Sequence, residues 1–446
     1  MSKRFAPLLA LLLILLLAMN GALIARQTPQ IAPAPPKPAL TAAEVAKTTD
    51  EILKQVSDLR QLKILNPIKS GVKTRSEIEQ SVIKDFDESS KPEEIEAANK
   101  GMIAFGLAPK GFRYREFMIR LLTEQVAGFY QPKTKQFFIA DWNALDEQKP
   151  VMAHELTHAL QDQHFNLGRF EKWPHGDSDR ELAIHALIEG DATALMFNFM
   201  LKPTGMDITR LPMSISALSN LATAQAGKNA GDVISSAPAA IRESLTFPYF
   251  QGADFVAEVL KKQGWEGVSR VYAELPQSSE QILHFDKYLA HEMPVKVTLA
   301  DLTSILGTGW KRLDTDINGE FGYSLILSEY IPKQQARTAA EGWGGDQFAI
   351  YENAAKGQVM LAHLSVWDTA KDAEEFFSAY AARTTKRYPN AKWSEGLPPT
   401  ERAYQTEDGE TFIQMRGQSV LVIEGLSTEQ HDRLMKLTSA LWEKAK

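Results

Sequence analysis

Two histidines and a glutamate within one short stretch have the types and the spacing of a metal-dependent catalytic group. In VMAHELTHALQDQHF, which begins at Val151, the segment HELTH places His154 and His158 four residues apart and Glu155 between them. On a helix the two histidines lie on one face, where two neutral imidazoles can hold one zinc ion. Glu155 follows the first histidine directly and is the candidate general base that takes a proton from water.

A catalytic zinc site has three protein ligands and one open position, so this pair of histidines needs a third ligand. Glu189 is one candidate, because it lies in ELAIHALIEGDATALMF, a segment from Glu181 that has the pattern of a second long helix. His164 is the other, at the position of the third histidine in the metzincin pattern HExxHxxGxxH. Gln161 replaces the glycine of that pattern, and we favour Glu189.

The pairing of HELTH on one helix with IEGDA on the next resembles gluzincin-type zinc metallopeptidases, over about residues 120–200. The resemblance implies one Zn²⁺ per chain, held by His154, His158 and Glu189. It also implies peptide-bond hydrolysis, in which zinc polarises the scissile carbonyl. Glu155 would deprotonate the attacking water and later pass the proton to the leaving amine.

Two supporting roles of such a site are harder to place in this sequence. The thermolysin pattern has an aspartate four residues after the glutamate ligand, where this chain has Thr193; Asp191 is the nearest substitute as a partner for a zinc histidine. A tetrahedral intermediate also needs a donor aimed at its oxyanion, and zincins often use a tyrosine or histidine. Tyr249 and His284 are the catalytic candidates for that role, because each lies in apolar surroundings.

The elements around the motif must position these side chains. Pro150 suits the first turn of a helix, and neither proline nor glycine follows until Gly168. Residues 41 to about 125 are predicted to be almost wholly helical, and QVAGFYQPKTKQFFIADW, from Gln125, predicts two strands around a polar turn. The resemblance suggests that one of these strands runs beside the metal, where an extended substrate can add to its free edge.

The fold class predicted is α+β: a mostly helical, zincin-like catalytic domain with a small β-sheet, then a smaller α+β domain. Beyond about residue 340 the pattern is ββα followed by ββα, which predicts an antiparallel sheet covered on one face by two helices. The predicted divisions are a signal peptide or signal anchor (1–25), a proline-rich linker (26–40), the metallopeptidase domain (41–300), a connecting helical segment (301–339) and an accessory domain (340–446).

Composition excludes several classes of protein. The chain has no cysteine, so it has neither a disulfide framework nor a cysteine nucleophile or thiolate zinc site. The net charge of −7 and the pI of about 5.8 argue against nucleic acid as a partner. The expected partner is a polypeptide substrate.

The N-terminus predicts export. Lys3 and Arg4 precede an apolar run from Phe5 to Met19, the arrangement of a signal peptide or of an uncleaved signal anchor. Either places the folded part outside the cytoplasm, in a periplasmic, extracellular or membrane-anchored setting, because the positive charges stay inside. The segment also makes membrane association an expected property.

Two other functions compete with the gluzincin prediction. One is a metzincin-like protease that uses His164 as the third ligand. The other is a non-catalytic cell-surface binding protein that keeps a zincin scaffold. The complete HELTH motif argues against the second, since a scaffold has no need of Glu155.

Overall fold

The computed structural model describes four stretches of the chain, residues 40–126, 128–170, 176–226 and 236–444. The predicted signal segment (1–25) and residues 26–39 of the predicted linker lie outside them. Within the described stretches, none of the helices combines the length and the apolar character that a membrane crossing requires. The fold is mixed α+β, as predicted.

Helices dominate the described chain as far as residue 306. They are α1 (Ala42–Arg60), α2 (Arg75–Ser89), α3 (Pro92–Ala104), α4 (Tyr114–Gln125), α5 (Leu145–Phe165), α6 (Ser178–Leu201), α7 (Ile215–Ala226), α8 (Ala239–Val271), α9 (Ser279–Leu283), α10 (Phe285–Leu289) and α11 (Thr303–Leu306). Capping boxes start α1 and α2: Thr41 accepts a hydrogen bond from the backbone N–H of Glu44, and Thr74 does the same for Glu77.

A three-stranded sheet lies within this helical part. Its strands are β1 (Lys69–Lys73), β2 (Gly128–Gln131) and β3 (Gln136–Ala140), in the order β1-β3-β2. The predicted hairpin is confirmed, because β2 and β3 pair antiparallel. The nearly all-helical prediction for residues 41–125 was wrong at β1, a short strand that pairs in parallel with the distant β3. Its sequence, KSGVK, has no marked β pattern, so the pairing partner decides its conformation.

A seven-stranded antiparallel sheet forms the C-terminal part. Its elements are β4 (Trp310–Asp316), α12 (Gly319–Ser328), α13 (Lys333–Ala340), β5 (Trp343–Asn353), β6 (Gln358–Trp367), α14 (Ala370–Arg387), β7 (Lys392–Trp393), β8 (Glu401–Thr406), β9 (Gly409–Arg416), β10 (Ser419–Leu426) and α15 (Leu434–Lys444). The strand order is β4-β5-β6-β10-β9-β8-β7. The predicted ββαββα pattern corresponds to β5, β6, α14, β9, β10 and α15, but it omits β4, β7 and β8. The segment 301–339 is therefore only partly helical, since β4 pairs with β5.

The two predicted helices cover opposite faces of this sheet, which corrects the expectation that both lie on one face. Phe376 of α14 packs in the same core as Val422 of β10. Leu437 of α15 packs in another core with Ile423, the next residue of β10. Successive strand residues point to opposite faces, and Val422 and Ile423 are both fully buried. Each face therefore needs its own cover.

The sheet is joined to the helical part by a buried group of charges. Arg387 of α14 donates to the carbonyl of Ala104 at 2.6 Å, and Arg383 donates to that of Phe105, where α3 ends. Both guanidinium groups also pair with Glu424, at 2.6 Å from Arg383 and 3.1 Å from Arg387. The two cations thus meet the negative end of α3 and satisfy carbonyls that have no partner within the helix.

Candidate metal centre

Helix α5 carries the HELTH motif through the interior of the helical part. The sequence had predicted that Pro150 lies in the first turn. The helix begins earlier, at Leu145, so Pro150 lies in its second turn. Proline cannot donate the hydrogen bond that this turn requires. From Val151 to Asp162 every residue of the helix is buried. We infer that this packing offsets the loss of the hydrogen bond at Pro150 and lets the helix continue through it.

Helix α6 brings Glu189 to this helix through an unusually close contact with α8. A Cβ atom on Gly190 would lie 2.2 Å from the backbone of Gly252, and one on Gly252 would lie 2.1 Å from the carbonyl oxygen of Ala186. Only glycine permits such backbone contact. The crossing holds α6 and α8 in one arrangement, which places Glu189 and Tyr249 near the histidines.

His154, His158 and Glu189 converge on one point. The two Nε2 atoms are 3.0 Å apart, and Glu189 Oε2 lies 3.1 Å from that of His154 and 3.3 Å from that of His158. Ligands about 2.0–2.1 Å from a tetrahedral zinc are about 3.3 Å from one another, so the observed separations suit one such ion. Both histidines are fully buried, and Glu189 is 7% exposed. The donor set, two imidazoles and a carboxylate, is one that zinc accepts.

The charges of the three side chains are coupled. Burial lowers the pKa of His154. Burial also opposes a charge on His158, but the Glu189 carboxylate outweighs it and raises the His158 pKa to about 9. For Glu189, burial would raise the pKa, yet His158 and His154 lower it to about 2. The coupling favours a protonated His158 opposite an ionised Glu189, and a bound divalent cation would compete with that proton, since ligands bind in their deprotonated form.

Gln161 orients the second histidine. The amide of Gln161 donates from Nε2 to Asp191 Oδ2 at 3.0 Å and to the carbonyl of Ile188 at 3.0 Å. Its Oε1 atom therefore faces His158 Nδ1, 2.8 Å away, and accepts the Nδ1–H hydrogen bond. This contact fixes the imidazole so that Nε2 is the nitrogen available to a metal.

The described hydrogen bonds of Asp191 run to Arg60, Gln161 and Tyr272, and none of them runs to His154 or His158. The Asp191 carboxylate pairs with Arg60 of α1, Oδ1 with Nε at 2.7 Å and Oδ2 with a terminal nitrogen at 3.1 Å. The hydroxyl of Tyr272 donates to Oδ2 at 2.9 Å. Asp191 acts on His158 only through Gln161. We call His158, Gln161, Asp191 and Arg60 the Gln161 relay.

Sequence reasoning had singled out His158 and Asp191 but had given no orienting role to Gln161 or Arg60. Gln161 had one usable signal, since it follows His158 by three residues and so lies on the same face of α5. Arg60 had no such signal, because it comes from a distant part of the chain, and the same holds for Tyr272, which bonds Asp191 from outside the relay.

We predict that Gln161→Leu weakens zinc binding about 10–100-fold, the usual cost of losing a group that orients a ligand histidine. The measurement is competition for zinc with a chromophoric chelator. Gln163→Leu is the matched control on the same helix, because Gln163 bonds the backbone of residues 65 and 66 and not the relay. Equal zinc affinities for wild type and Gln161→Leu would show that the relay does not orient His158.

Glu155 lies beside the three side chains and has its own support. Its Oε2 accepts a hydrogen bond from the backbone N–H of Tyr130 at 2.8 Å. The Tyr130 hydroxyl donates to Asp162 at 2.8 Å, which ties β2 to α5. Burial raises the pKa of Glu155 to about 8, near the range in which a general base is most effective.

Tyr249 lies beside the three converging side chains, whereas His164 does not. The ring of Tyr249 stacks on that of His154 with centroids 5.9 Å apart, and Tyr249 is 2% exposed. His164 lies at the end of α5, just before the left-handed cap residue Asn166, and its Nε2 donates to the carbonyl of Lys63 at 2.8 Å. The structure therefore brings Glu189, and not His164, to the two histidines of HELTH.

His284 belongs to a different group of charges. Its Nε2 lies 2.9 Å from a carboxylate oxygen of Glu320, which raises the pKa of the ring. Nearby, the ammonium of Lys287 is 2.7 Å from Glu280 and 2.6 Å from Asp368. The contacts of His284 connect α12 with the start of α10, and none of its described partners is His154, His158 or Glu189. The structure gives no support to His284 as the oxyanion donor.

The site has the make-up of a mononuclear metal centre with an adjacent carboxylate, and comparison with known proteins adds one match elsewhere in the chain. Residues 308–435 match the model of a family described as a domain of unknown function (DUF8575). The match spans the seven-stranded sheet and includes none of His154, His158 and Glu189. No curated protein and no solved structure was found to match the chain.

Proposed function

We propose that this protein is a zinc metallopeptidase of gluzincin type, with one Zn²⁺ per chain held by His154, His158 and Glu189. The observation that carries the proposal is the convergence of these three side chains from two helices, with Glu155 beside them but outside their shared contact point. Zinc in such a site polarises the scissile carbonyl and makes water more acidic.

The roles of the surrounding residues follow from their contacts. Glu155 accepts a proton from the attacking water and delivers it to the leaving amine, while the N–H of Tyr130 holds its carboxylate in place. β2 is an edge strand of the small sheet, so an extended polypeptide can add to it through main-chain hydrogen bonds. Tyr249, stacked on His154, is the proposed donor to the oxyanion.

The ligand assignment is tested by Glu189→Ala and His164→Ala. We expect Glu189→Ala to lose zinc and peptide cleavage, because two imidazoles alone bind the ion far more weakly than three ligands. His164→Ala is the matched control and should keep both, since His164 contacts only the backbone of Lys63 among its described polar partners. The measurements are elemental analysis and mass spectrometry of a peptide pool after digestion. If His164→Ala lost zinc while Glu189→Ala kept it, the protein would instead be assigned to the metzincin class.

We also propose that the enzyme acts outside the cytoplasm, on the basis of Lys3, Arg4 and the apolar run that follows them. A reporter that works only after export, fused after residue 40, should be active. Activity of a reporter that works only in the cytoplasm would refute this location.

A further inference from the structure

Tyr130 of β2 contacts helix α5 at two points that lie about two helical turns apart. Its backbone N–H donates to Glu155 Oε2 at 2.8 Å, and its hydroxyl donates to Asp162 Oδ2 at 2.8 Å. Glu155 and Asp162 are separated by seven residues, which places them on one face of the helix, about 10 Å apart along its axis. Tyr130 therefore bridges the proposed general base and a second carboxylate, for which the proposed reaction has no role.

The helix leaves room for this tyrosine. Ala159 lies on the same face of α5, four residues after Glu155, and is fully buried. Tyr130 is 1% exposed and belongs to the same core as Ala159. Burial and the Asp162 carboxylate raise the pKa of the Tyr130 hydroxyl, which remains a hydrogen-bond donor. The small side chain of Ala159 thus lets the tyrosine ring pass along the helix to Asp162.

Asp162 is held from two further directions. It is 5% exposed, and the ammonium of Lys135, in the turn between β2 and β3, contacts the same Oδ2 atom that accepts from Tyr130. The other oxygen, Oδ1, accepts a hydrogen bond from the backbone N–H of Leu167 at 3.1 Å, just after α5 ends. Hydrogen bonds that involve an ion are stronger than those between neutral groups. Asp162 is therefore a fixed anchor for Tyr130.

We propose that Asp162 is a positioning residue for the proposed peptide hydrolysis and acts on Glu155 through Tyr130. This inference rests on the proposed function. The two attachments of Tyr130 fix both the position and the direction of β2 along α5, so that its N–H holds the Glu155 carboxylate in one orientation. A misplacement of about 1 Å in such a geometry can cost about a hundredfold in rate.

Tyr130→Phe removes the hydroxyl but keeps the ring in the core, so it tests the attachment with little disturbance. We expect kcat for a peptide substrate to fall about 10–100-fold, with KM and zinc content nearly unchanged, because the base is misplaced while ground-state binding is kept. Thr134→Val is the matched control in the same hairpin and should keep the wild-type kcat, since the Thr134 hydroxyl donates to Gln131 within the turn. Unchanged kinetics in Tyr130→Phe would overturn the proposal, as would a higher KM with an unchanged kcat.

Variants of Asp162 separate positioning from support of the fold. Asp162→Ala loses every hydrogen bond of the side chain, whereas Asp162→Asn can still bond the Tyr130 hydroxyl, as acceptor or as donor. We expect the asparagine variant to keep a kcat at least about tenfold above that of the alanine variant, the value of one hydrogen bond. Equal losses of kcat in the two folded variants would overturn the proposed attachment. If Asp162→Ala does not fold, Tyr130→Phe decides the question.

Hydrogen exchange at the amide of residue 130 gives a readout that does not depend on activity. This N–H is protected where it donates to Glu155, and we expect it to exchange at least about tenfold faster in Tyr130→Phe than in wild type or Thr134→Val. If wild type cleaves no peptide, the proposed function fails, yet faster exchange in Tyr130→Phe still supports the attachment. Exchange as slow as in wild type would overturn it.

Discussion

Replacing Glu155 with glutamine is expected to reduce peptide cleavage by about two to four powers of ten, the usual contribution of a general base. Glutamine keeps the size of the side chain and can still accept the hydrogen bond from the Tyr130 N–H, which lies 2.8 Å from Glu155 Oε2. It cannot take up a proton. Because this residue would serve two proton transfers, the loss should lie toward the upper end of that range.

The variant separates catalysis from scaffolding because Glu155 is not one of the three converging side chains. Zinc content and the thermal unfolding midpoint should match wild type, while cleavage of a peptide pool, followed by mass spectrometry, falls to background. Glu147→Gln, at an exposed position in the first turn of the same helix, is the matched control and should cleave normally. Equal cleavage by wild type and Glu155→Gln would show that Glu155 is not the general base. Retention of biological activity by a cleavage-dead variant would instead favour a binding protein on a zincin scaffold.

Replacing Arg60 with methionine is expected to lower the free energy of unfolding by about 3–5 kcal/mol, the cost of leaving one partner of a buried ion pair without the other. Arg60 and Asp191 are both fully buried, and the guanidinium contacts the carboxylate through two nitrogens. Arg60 also lies over the ring of Trp265 at 4.8 Å and donates to Ser269 at 3.1 Å. Methionine retains apolar volume but none of these polar contacts.

Urea unfolding measures this difference, with Arg270→Met as the matched control. Arg270 pairs with Glu266 at 2.9 Å on the surface, where its side chain is 52% exposed. Such a pair contributes about 0–1 kcal/mol, so the control should unfold nearly as wild type does. If both variants lowered the free energy of unfolding by a similar, small amount, the buried Arg60–Asp191 pair would not stabilise the fold as predicted. The Arg60 variant should also bind zinc more weakly, since Asp191 orients Gln161.

Local periodicity carried much of the fold information in this sequence. The strands β5, β6, β9 and β10 and the helices α5 and α6 follow from spacing that each segment contains by itself. The same is true of His154 and His158, because a four-residue separation on a helix places both rings on one face. The choice of Glu189 over His164 came from a resemblance, and the structure brings Glu189 to within 3.3 Å of both rings.

Other features depend on partners that are distant along the chain. β1 and β4 have weak patterns of their own and become strands by pairing with β3 and β5. Helices α14 and α15 cover opposite faces of the seven-stranded sheet, so β10 is buried on both of its faces. The order of strands and helices along the sequence does not reveal which face each helix covers.

The surroundings of the metal centre were decided by tertiary structure. Arg60 and Asp191 are 131 positions apart in the sequence, and only the packing of α1 against α5 and α6 makes them neighbours. Tyr249 reaches His154 through the glycine contact of α6 with α8, whereas His284, an equal candidate by sequence, pairs with Glu320. The sequence by itself determined the chemical groups of the site, since ligand type and helical spacing are local properties. The three-dimensional fold decided which polar groups surround them, because burial and hydrogen-bond pairing arise only when distant segments pack together.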